Sequence, residues 1–547
     1  MKHWRVSPSL SLPLSLLAVS VPLLAFGCSS SEGPVAPPTT DAGVDPPADA
    51  EAPAPLVSFT PCPLRVDAEG PQAECATVPV PLDAKNPNGP TIDVFVKRYR
   101  PAGGRGLRQL WLLQGGPGAS GYVFENISQQ FGTKYKDVDY YIPDHRGTGK
   151  STRLGCPAQE ASSSEGGITI TEAEMPACFA DVKAREGARL PFFTTTNAAN
   201  DIGVLISRTR EKIPGTDTPQ PAFVMGISYG TFWAHRYLQL YPNQPAGIIF
   251  DSVAPQGASL ARQDADSDEA AKDFLAACGA DTFCSSKLGA GLAPWDKAQA
   301  LFAKLKTGHC AEIAVSAAPT HVLFRRAFAS MLMQPQLRTY IPAVIHRADR
   351  CSAADVTSLK IFMKAISQPA PEDEMMRQWG WMLSYNVIFS EMWETPEPAP
   401  GELAGIRDRA IASRDITAMM EAALPLWSRY PADPLATSWA TSDKPLLFLN
   451  GGLDPATLLR KARLAKPHFT KPNQHWVEVP TASHTVIGSS PLPEGGSCGT
   501  RMFMSFMEDP TAPLDTSCVA KVVPLDFTNT VDRDLTRGLF GRYDAWE

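Results

Sequence analysis

Phe223-Val224-Met225-Gly226-Ile227-Ser228-Tyr229-Gly230-Thr231 is the stretch on which the reading of this chain turns. Phe223 to Met225 is a short apolar run of the kind that forms a buried strand, and residues 231 to 240 have the make-up of a helix. Between them Gly226-x-Ser228-x-Gly230 makes a tight turn, in which small residues must flank the serine so that strand and helix can approach. A strand, a glycine-bounded serine and a helix in that order are the setting of a nucleophile elbow. Outside that setting the same five residues describe an ordinary glycine turn with an exposed serine.

Working outward from the turn, the same rhythm recurs. Residues 92 to 99 have the β-branched and aromatic content of a strand. Residues 110 to 114 and 138 to 142 are buried-strand candidates ending in Gly-rich or polar turns, and residues 248 to 250 follow the helix. Strand, loop, helix, strand predicts a mainly parallel α/β sheet with helices on both faces. From about residue 257 to 427 helical periodicity takes over, as in residues 295 to 306, 323 to 333 and 374 to 388. Apolar strand runs resume at 445 to 450 and 476 to 479. This order predicts a core in two parts, 58–256 and 428–547, interrupted by a helical cap over 257–427.

A serine hydroxyl is a weak nucleophile and needs a base, and in this architecture the chain order is serine, acid, histidine. His484 follows the last strand and is the candidate base. His475 precedes that strand, at the opposite end of the sheet, His468 lies further upstream, and His235 sits a helical turn or more beyond the elbow. Asp454, in Asn450-Gly451-Gly452-Leu453-Asp454-Pro455, follows a strongly apolar strand and is the candidate acid that holds the imidazole tautomer. Asp251, which also follows a strand, is its rival. Gln114-Gly115-Gly116-Pro117-Gly118 supplies a glycine loop for a developing oxyanion, with the backbone N–H of Gly116 and of Tyr229 as the expected donors. No Gly-Lys-Ser/Thr follows and Pro117 lacks an N–H, so a phosphate loop is a poor reading. Serine at the elbow excludes haloalkane or epoxide chemistry, which needs a carboxylate there.

Of the 547 residues 44% are hydrophobic and 20% charged, and the formal net charge of -7 offers no footprint for nucleic acid. Lys2, His3 and Arg5 precede an apolar run over residues 10 to 26 broken by Pro13 and Pro22, the pattern of a secretory signal. It ends in Leu24-Ala25-Phe26-Gly27-Cys28, which resembles a bacterial lipoprotein box with Ala25 where leucine is usual. The expectation is a signal peptide over 1–27, lipid on Cys28 and a membrane anchor through it, with secretion or a periplasmic location as the alternative. Residues 28–57, rich in Pro, Ala and Ser, read as a disordered tether. Setting Cys28 aside, ten of the eleven cysteines remain. They fall in near-neighbour pairs: Cys62 with Cys75, Cys156 with Cys178, Cys278 with Cys284, Cys310 with Cys351, and Cys498 with Cys518. Pairing of neighbours is one connectivity among many, and it fits an oxidising compartment. No CxxC or His-rich spacing points to a metal, and no cofactor is expected.

Taken together, Gly115-Gly116-Pro117-Gly118, Asp144-His145-Arg146-Gly147-Thr148-Gly149-Lys150-Ser151, Gly226 to Thr231, Gly452-Leu453-Asp454-Pro455-Ala456-Thr457 and His484 resemble the proline iminopeptidase and tripeptidyl aminopeptidase family of α/β-hydrolases. The tail around Cys498 and Cys518 resembles that of its secreted tripeptidyl aminopeptidase branch. The resemblance implies an α/β-hydrolase fold with a helical cap over the serine, removal of residues from free peptide N-termini, and a structural role for Asp144 to Ser151. It also implies a cap carboxylate for the substrate ammonium, with Glu391 as the first candidate and Glu394 as the second. Gln114 departs from the family's frequent histidine, and Phe389-Ser390 from a segment that often carries cysteine. The functional expectation is an exported serine peptidase acting on peptide substrates. A carboxylesterase or lipase on the same scaffold is the alternative, and an inactive hydrolase-fold binding protein is the reading from another class.

Overall fold

The computed structural model describes residues 56–65, 72–101, 103–289, 291–366, 374–431 and 433–547. The expected signal segment, Cys28 and nearly all of the tether lie outside the described residues. Among these residues one sheet of nine strands forms: β1 Thr60–Pro63, β2 Gln72–Pro81, β3 Thr91–Tyr99, β4 Arg108–Leu113, β5 Val138–Pro143, β6 Ala222–Ile227, β7 Gly247–Asp251, β8 Leu446–Gly451 and β9 Gln474–Val479. Their spatial order is β1-β2-β3-β5-β4-β6-β7-β8-β9. Pairing is antiparallel from β1 through β3 to β5 and parallel from β5 to β9.

The parallel strands are covered on both faces, which is why they read as unbroken apolar runs. Trp111, Val224, Phe250 and Phe448 face the helices Thr195–Thr209 and Tyr229–Leu240. Leu112, Met225, Ile249 and Leu447 face Val123–Lys134 and Cys498–Glu508. β1, the edge strand, and β2, whose Pro79 and Pro81 lie beyond its pairing with β1, escape the sequence reading because each carries two prolines, which normally demote a run. At the sheet edge those prolines are tolerated, and the Cys62–Cys75 disulfide ties the two strands together. The other four near-neighbour cysteine pairs are also bonded, with Cα separations of 5.2 to 5.8 Å across the five.

Between β7 and β8 the described residues form helices and loops without a strand. This block has its own apolar core around Phe274, Phe302, Phe328 and Phe362. Two features differ from the sequence reading. The chain end is not part of the sheet core: Phe527, Leu539, Phe540 and Trp546 pack into the helical block, and Arg347 Nε donates to the Ala545 carbonyl at 2.6 Å. The helix expected over 374 to 388 is broken into Glu374–Arg377 and Trp381–Glu391. At the break Gly380 N–H donates to the Gly118 carbonyl at 2.8 Å, and Gly149 N–H donates to the Gln378 carbonyl at 2.9 Å. Two core loops thus take the backbone groups that a continuous helix would use itself.

Candidate active site

The elbow is built by close approach. β6 ends at Ile227, Ser228 follows at φ 58° and ψ −125°, and the helix Tyr229–Leu240 starts at the next residue. A non-glycine residue at positive φ is strained, and such strain persists where the surroundings enforce it. A side chain at Gly226 would overlap the Gly230 carbonyl, and one at Gly230 would overlap the Leu113 carbonyl of β4. Ser228 N–H donates to the Asp251 carbonyl at 3.0 Å, fastening the elbow to the end of β7.

Asp454 and His484 follow β8 and β9. His484 Nδ1 lies 2.9 Å from Asp454 Oδ2 and 3.0 Å from Oδ1. Asp454 is fully buried, and its Oδ1 also accepts from Ala456 N at 2.8 Å and Thr457 N at 2.9 Å, while Oδ2 accepts from Thr457 Oγ1 at 2.7 Å. Burial works to raise this carboxyl, yet His484 and Thr457 together hold it below its ordinary value. Burial works to lower His484, but Asp454, with help from Asp251, holds the imidazole above its ordinary value. A proton on Nδ1 facing Asp454 leaves Nε2 as the acceptor, the tautomer a general base needs.

Asp251 does not bond to His484. Its Oδ1 and Oδ2 accept from Val486 N at 2.7 Å and Ile487 N at 3.0 Å, so it holds the turn just beyond the histidine. Burial pushes its carboxyl up to about 6.

Gly115 lies against the serine: a Cβ there would meet Ser228 Cβ at 2.9 Å. Ser384, on the helix Trp381–Glu391, donates its hydroxyl to the Pro117 carbonyl at 2.6 Å, and Trp379 Nε1 donates to Ser384 Oγ at 3.0 Å. The helical block therefore helps hold the glycine loop. Tyr229 stands at the first position of its helix, where an N–H has no intrahelical acceptor. Gly116, Ser228, Tyr229 and His484 all line one cavity of about 2020 Å³, roofed by the helical block.

Asp144 and Arg146 sit behind the site. Asp144 accepts from Gly121 N and Lys150 N, each at 2.7 Å, and burial pushes its carboxyl up to about 6. Arg146 grips both oxygens of Asp201 at 2.6 and 2.7 Å and donates to three carbonyls. Between them His145 Nε2 lies 3.2 Å from the Tyr229 hydroxyl.

The two cap glutamates are not brought to the cavity. The Glu391 side chain is wholly buried; its Oε1 accepts from Thr195 N at 2.9 Å and Tyr430 Oη at 2.6 Å, and its Oε2 from Arg236 Nη2 at 3.2 Å. With its partners supplied by the protein and the cavity elsewhere, Glu391 has no oxygen to offer a substrate ammonium. Glu394 is held by Arg262 at 2.6 and 3.0 Å, also away from the cavity lining. His235 is buried and its Nε2 accepts from Ala440 N at 3.0 Å; burial drives its pKa down to about 3. His468 stacks on Trp439. Among the described residues no cluster of three or more His, Cys, Asp or Glu is arranged to hold a metal ion. The sequence reading missed Trp379, Arg338 and Arg414, which line the cavity.

Residues 110–285 match the family described as alpha/beta hydrolase fold. With the strand order and the elbow, this gives the chain an α/β-hydrolase fold. Within that class its sequence is similar to tripeptidyl aminopeptidases from Streptomyces lividans and Streptomyces coelicolor, each 30% identical over 200 residues, covering 33% of this chain and 35% of the relative. The match thus spans about a third of the length of those relatives. Among solved structures, a thermophilic esterase from Thermogutta terrifontis is similar over 80% of this chain and 99% of its own, at 14% identity and a TM-score of 0.30. An epoxide hydrolase from an endophytic Streptomyces is similar over 76% of this chain and 89% of its own, at 16% identity and a TM-score of 0.29.

Proposed function

We propose that the protein is an exported serine peptidase that releases amino acids or short peptides from free peptide N-termini through an acyl-enzyme on Ser228. The observation that carries this reading is His484, held 2.9 Å from buried Asp454 and lining the same cavity as a serine at positive φ. The partial similarity to tripeptidyl aminopeptidases supports peptides as the substrate class. In the reaction Ser228 Oγ attacks the scissile carbonyl while His484 Nε2 takes its proton. Asp454 stabilises the imidazolium that forms. The N–H groups of Gly116 and Tyr229 donate to the oxyanion of the tetrahedral intermediate. His484 then protonates the leaving amine, and water, deprotonated by the same histidine, releases the acyl group.

The division of labour follows the chain in part: residues 58–256 and the segment from 428 through His484 carry the nucleophile, acid and base, and 257–427, with the chain end around Phe527 to Trp546 packed into them, form the cap that selects the substrate. Export is supported by the five disulfides, which belong to oxidising compartments. No helix among the described residues is long and apolar enough to cross a membrane. Residues 1–27 then act as the signal and Cys28 as the lipid attachment point.

Free and N-blocked tripeptidyl and aminoacyl coumarins, run beside short p-nitrophenyl esters, test the assignment. Turnover of free-amine peptides that is lost in Ser228→Ala supports it. Turnover of esters alone would make the protein a carboxylesterase, and failure of a fluorophosphonate probe to label Ser228 would make it a binding protein.

A further inference from the structure

Arg338, a cation lining the cavity, has no carboxylate partner among the described residues. Arg338 ends the short helix Pro335–Arg338, is only 3% exposed, and lines the cavity that also holds Ser228 and His484. Its Nη2 donates to the Thr481 carbonyl. Its Nε and Nη1 are buried and have no hydrogen-bond partner among the described residues. The other buried arginines, Arg98, Arg146, Arg236, Arg325 and Arg347, are each paired with a carboxylate. That is the rule for buried charge, which is otherwise expensive. For Arg338 no charged neighbour offsets the cost, and burial alone lowers its pKa to about 10.

A second guanidinium, Arg414, also lines the cavity and bears electrostatically on His484. The acid acting on it is Asp264, whose Oδ2 is taken by the backbone N–H and hydroxyl of Thr417. The neighbouring Asp415 is spent on Arg325 and Arg326.

The position of Arg338 says which part of a substrate it meets. Thr481 lies three residues before His484, on the loop that carries the base. His484 has to hand its proton to the leaving group, so groups beside that loop face the leaving-group side. We propose that Arg338, with Arg414 lining the same cavity, binds a carboxylate on the leaving-group portion of the substrate. For a peptide this is the C-terminal carboxylate of a short oligopeptide, or an acidic side chain just beyond the scissile bond. The enzyme then favours short peptides with a free C-terminus over amides and long chains. This rests on the acyl-transfer reading of Ser228.

The test uses matched leaving groups on the full-length protein. One series is Ala-Ala-Ala-Leu as free acid and as amide, with Ala-Ala-Ala-Glu amide as the side-chain arm. The other is a pair of acetyl esters, of 4-hydroxybenzoate and of its methyl ester. The wild type is expected to prefer the free acid by about 10- to 100-fold in kcat/KM, the range of one charge-assisted hydrogen bond to a buried group. A Glu amide that matches the free acid assigns the carboxylate to the side chain; one that matches the Leu amide assigns it to the C-terminus. In Arg338→Gln the acid-to-neutral ratio falls close to one, and Arg338→Lys, which keeps the charge, recovers part of it. Because the ratio is taken within each variant, a general loss of activity cancels. A wild-type ratio near one, or a ratio left intact by Arg338→Gln, overturns the proposal. Should Arg338→Gln not fold, the wild-type ratio and Arg338→Lys still decide it. Turnover of esters without peptides overturns the peptidase reading instead, and the ester pair still reads Arg338.

Discussion

Asp454→Asn separates the proposed acid from its rival, and the structure fixes what the substitution does. Asp454 Oδ1 accepts from two backbone N–H groups, Ala456 and Thr457. Those donors cannot rotate away, so the oxygen of an asparagine must take the Oδ1 place and its NH2 the Oδ2 place. The NH2 then stands where Oδ2 now lies, 2.9 Å from His484 Nδ1. A donor there opposes the Nδ1 proton and, against the oxygen kept at the Oδ1 place 3.0 Å from Nδ1, favours the tautomer with its proton on Nε2, the atom that has to take the proton of Ser228. The base is thus blocked without being displaced. The expected loss is ~10⁴-fold in kcat, roughly 5 kcal/mol of activation free energy, while the unfolding midpoint stays near wild type. Asp251→Asn acts differently. Its amide can serve only one of Val486 N and Ile487 N and opposes the other with a donor, so it destabilises by about 1–3 kcal/mol. Its kcat should fall no more than about tenfold, since His484 keeps its partner. Steady-state kinetics on the best coumarin substrate, with thermal melts of both variants, measure this. An Asp454→Asn enzyme keeping more than about a tenth of wild-type kcat, or an Asp251→Asn enzyme matching its loss, would refute the assignment.

The remaining predictions follow from neighbouring groups. Only neutral His484 accepts a proton, and Asp454 holds the imidazole above its ordinary value, so activity is lost as pH falls through that raised value. The acid limb of kcat/KM should therefore lie above the ordinary histidine value. Gly118→Ala adds a Cβ that overlaps Ser384 Oγ and sits 2.7 Å from Trp379 Nε1, at a φ of +115°. It should shift the oxyanion loop and lower kcat by ~100-fold, with the melting temperature reported beside it. Glu391→Gln leaves the buried Arg236 without its closest charge and should cost about 3–5 kcal/mol in stability. Discrimination between free and blocked N-termini should not change; a KM rise confined to free-amine substrates would return Glu391 to the ammonium-binding role.

How far the site was legible depends on where its causes lie in the chain. Ser228, Asp454 and His484 each stand just after an apolar strand, on turns whose glycines or small residues adjoin them. The information is local, and a reading of runs and turns reaches it. β1 and β2 were not reached because Pro61, Pro63, Pro79 and Pro81 are breakers in a central strand and acceptable at an edge, and edge position is a property of the whole sheet. The break at Gly380 has the same character. Its cause is the Gly118 carbonyl of the oxyanion loop, which no periodicity within 374 to 388 registers.

Charge is the hardest case. Glu391 reads as a free cap carboxylate until Arg236, 155 residues earlier, is placed against it. Arg338 carries no local signal in the sequence, and it stands out only when its burial and the lack of a partner for its Nε and Nη1 among the described residues are known. A carboxylate that looks available is spent, and a guanidinium that looks ordinary is left over. Both reversals come from the same physics, since buried charges must be matched and matching is a three-dimensional sum. The residues proposed for acyl transfer are legible from local geometry, whereas the proposed substrate contact rests on which charges remain unmatched around the cavity. The leftover at Arg338 is therefore where the specificity of this hydrolase is most directly tested.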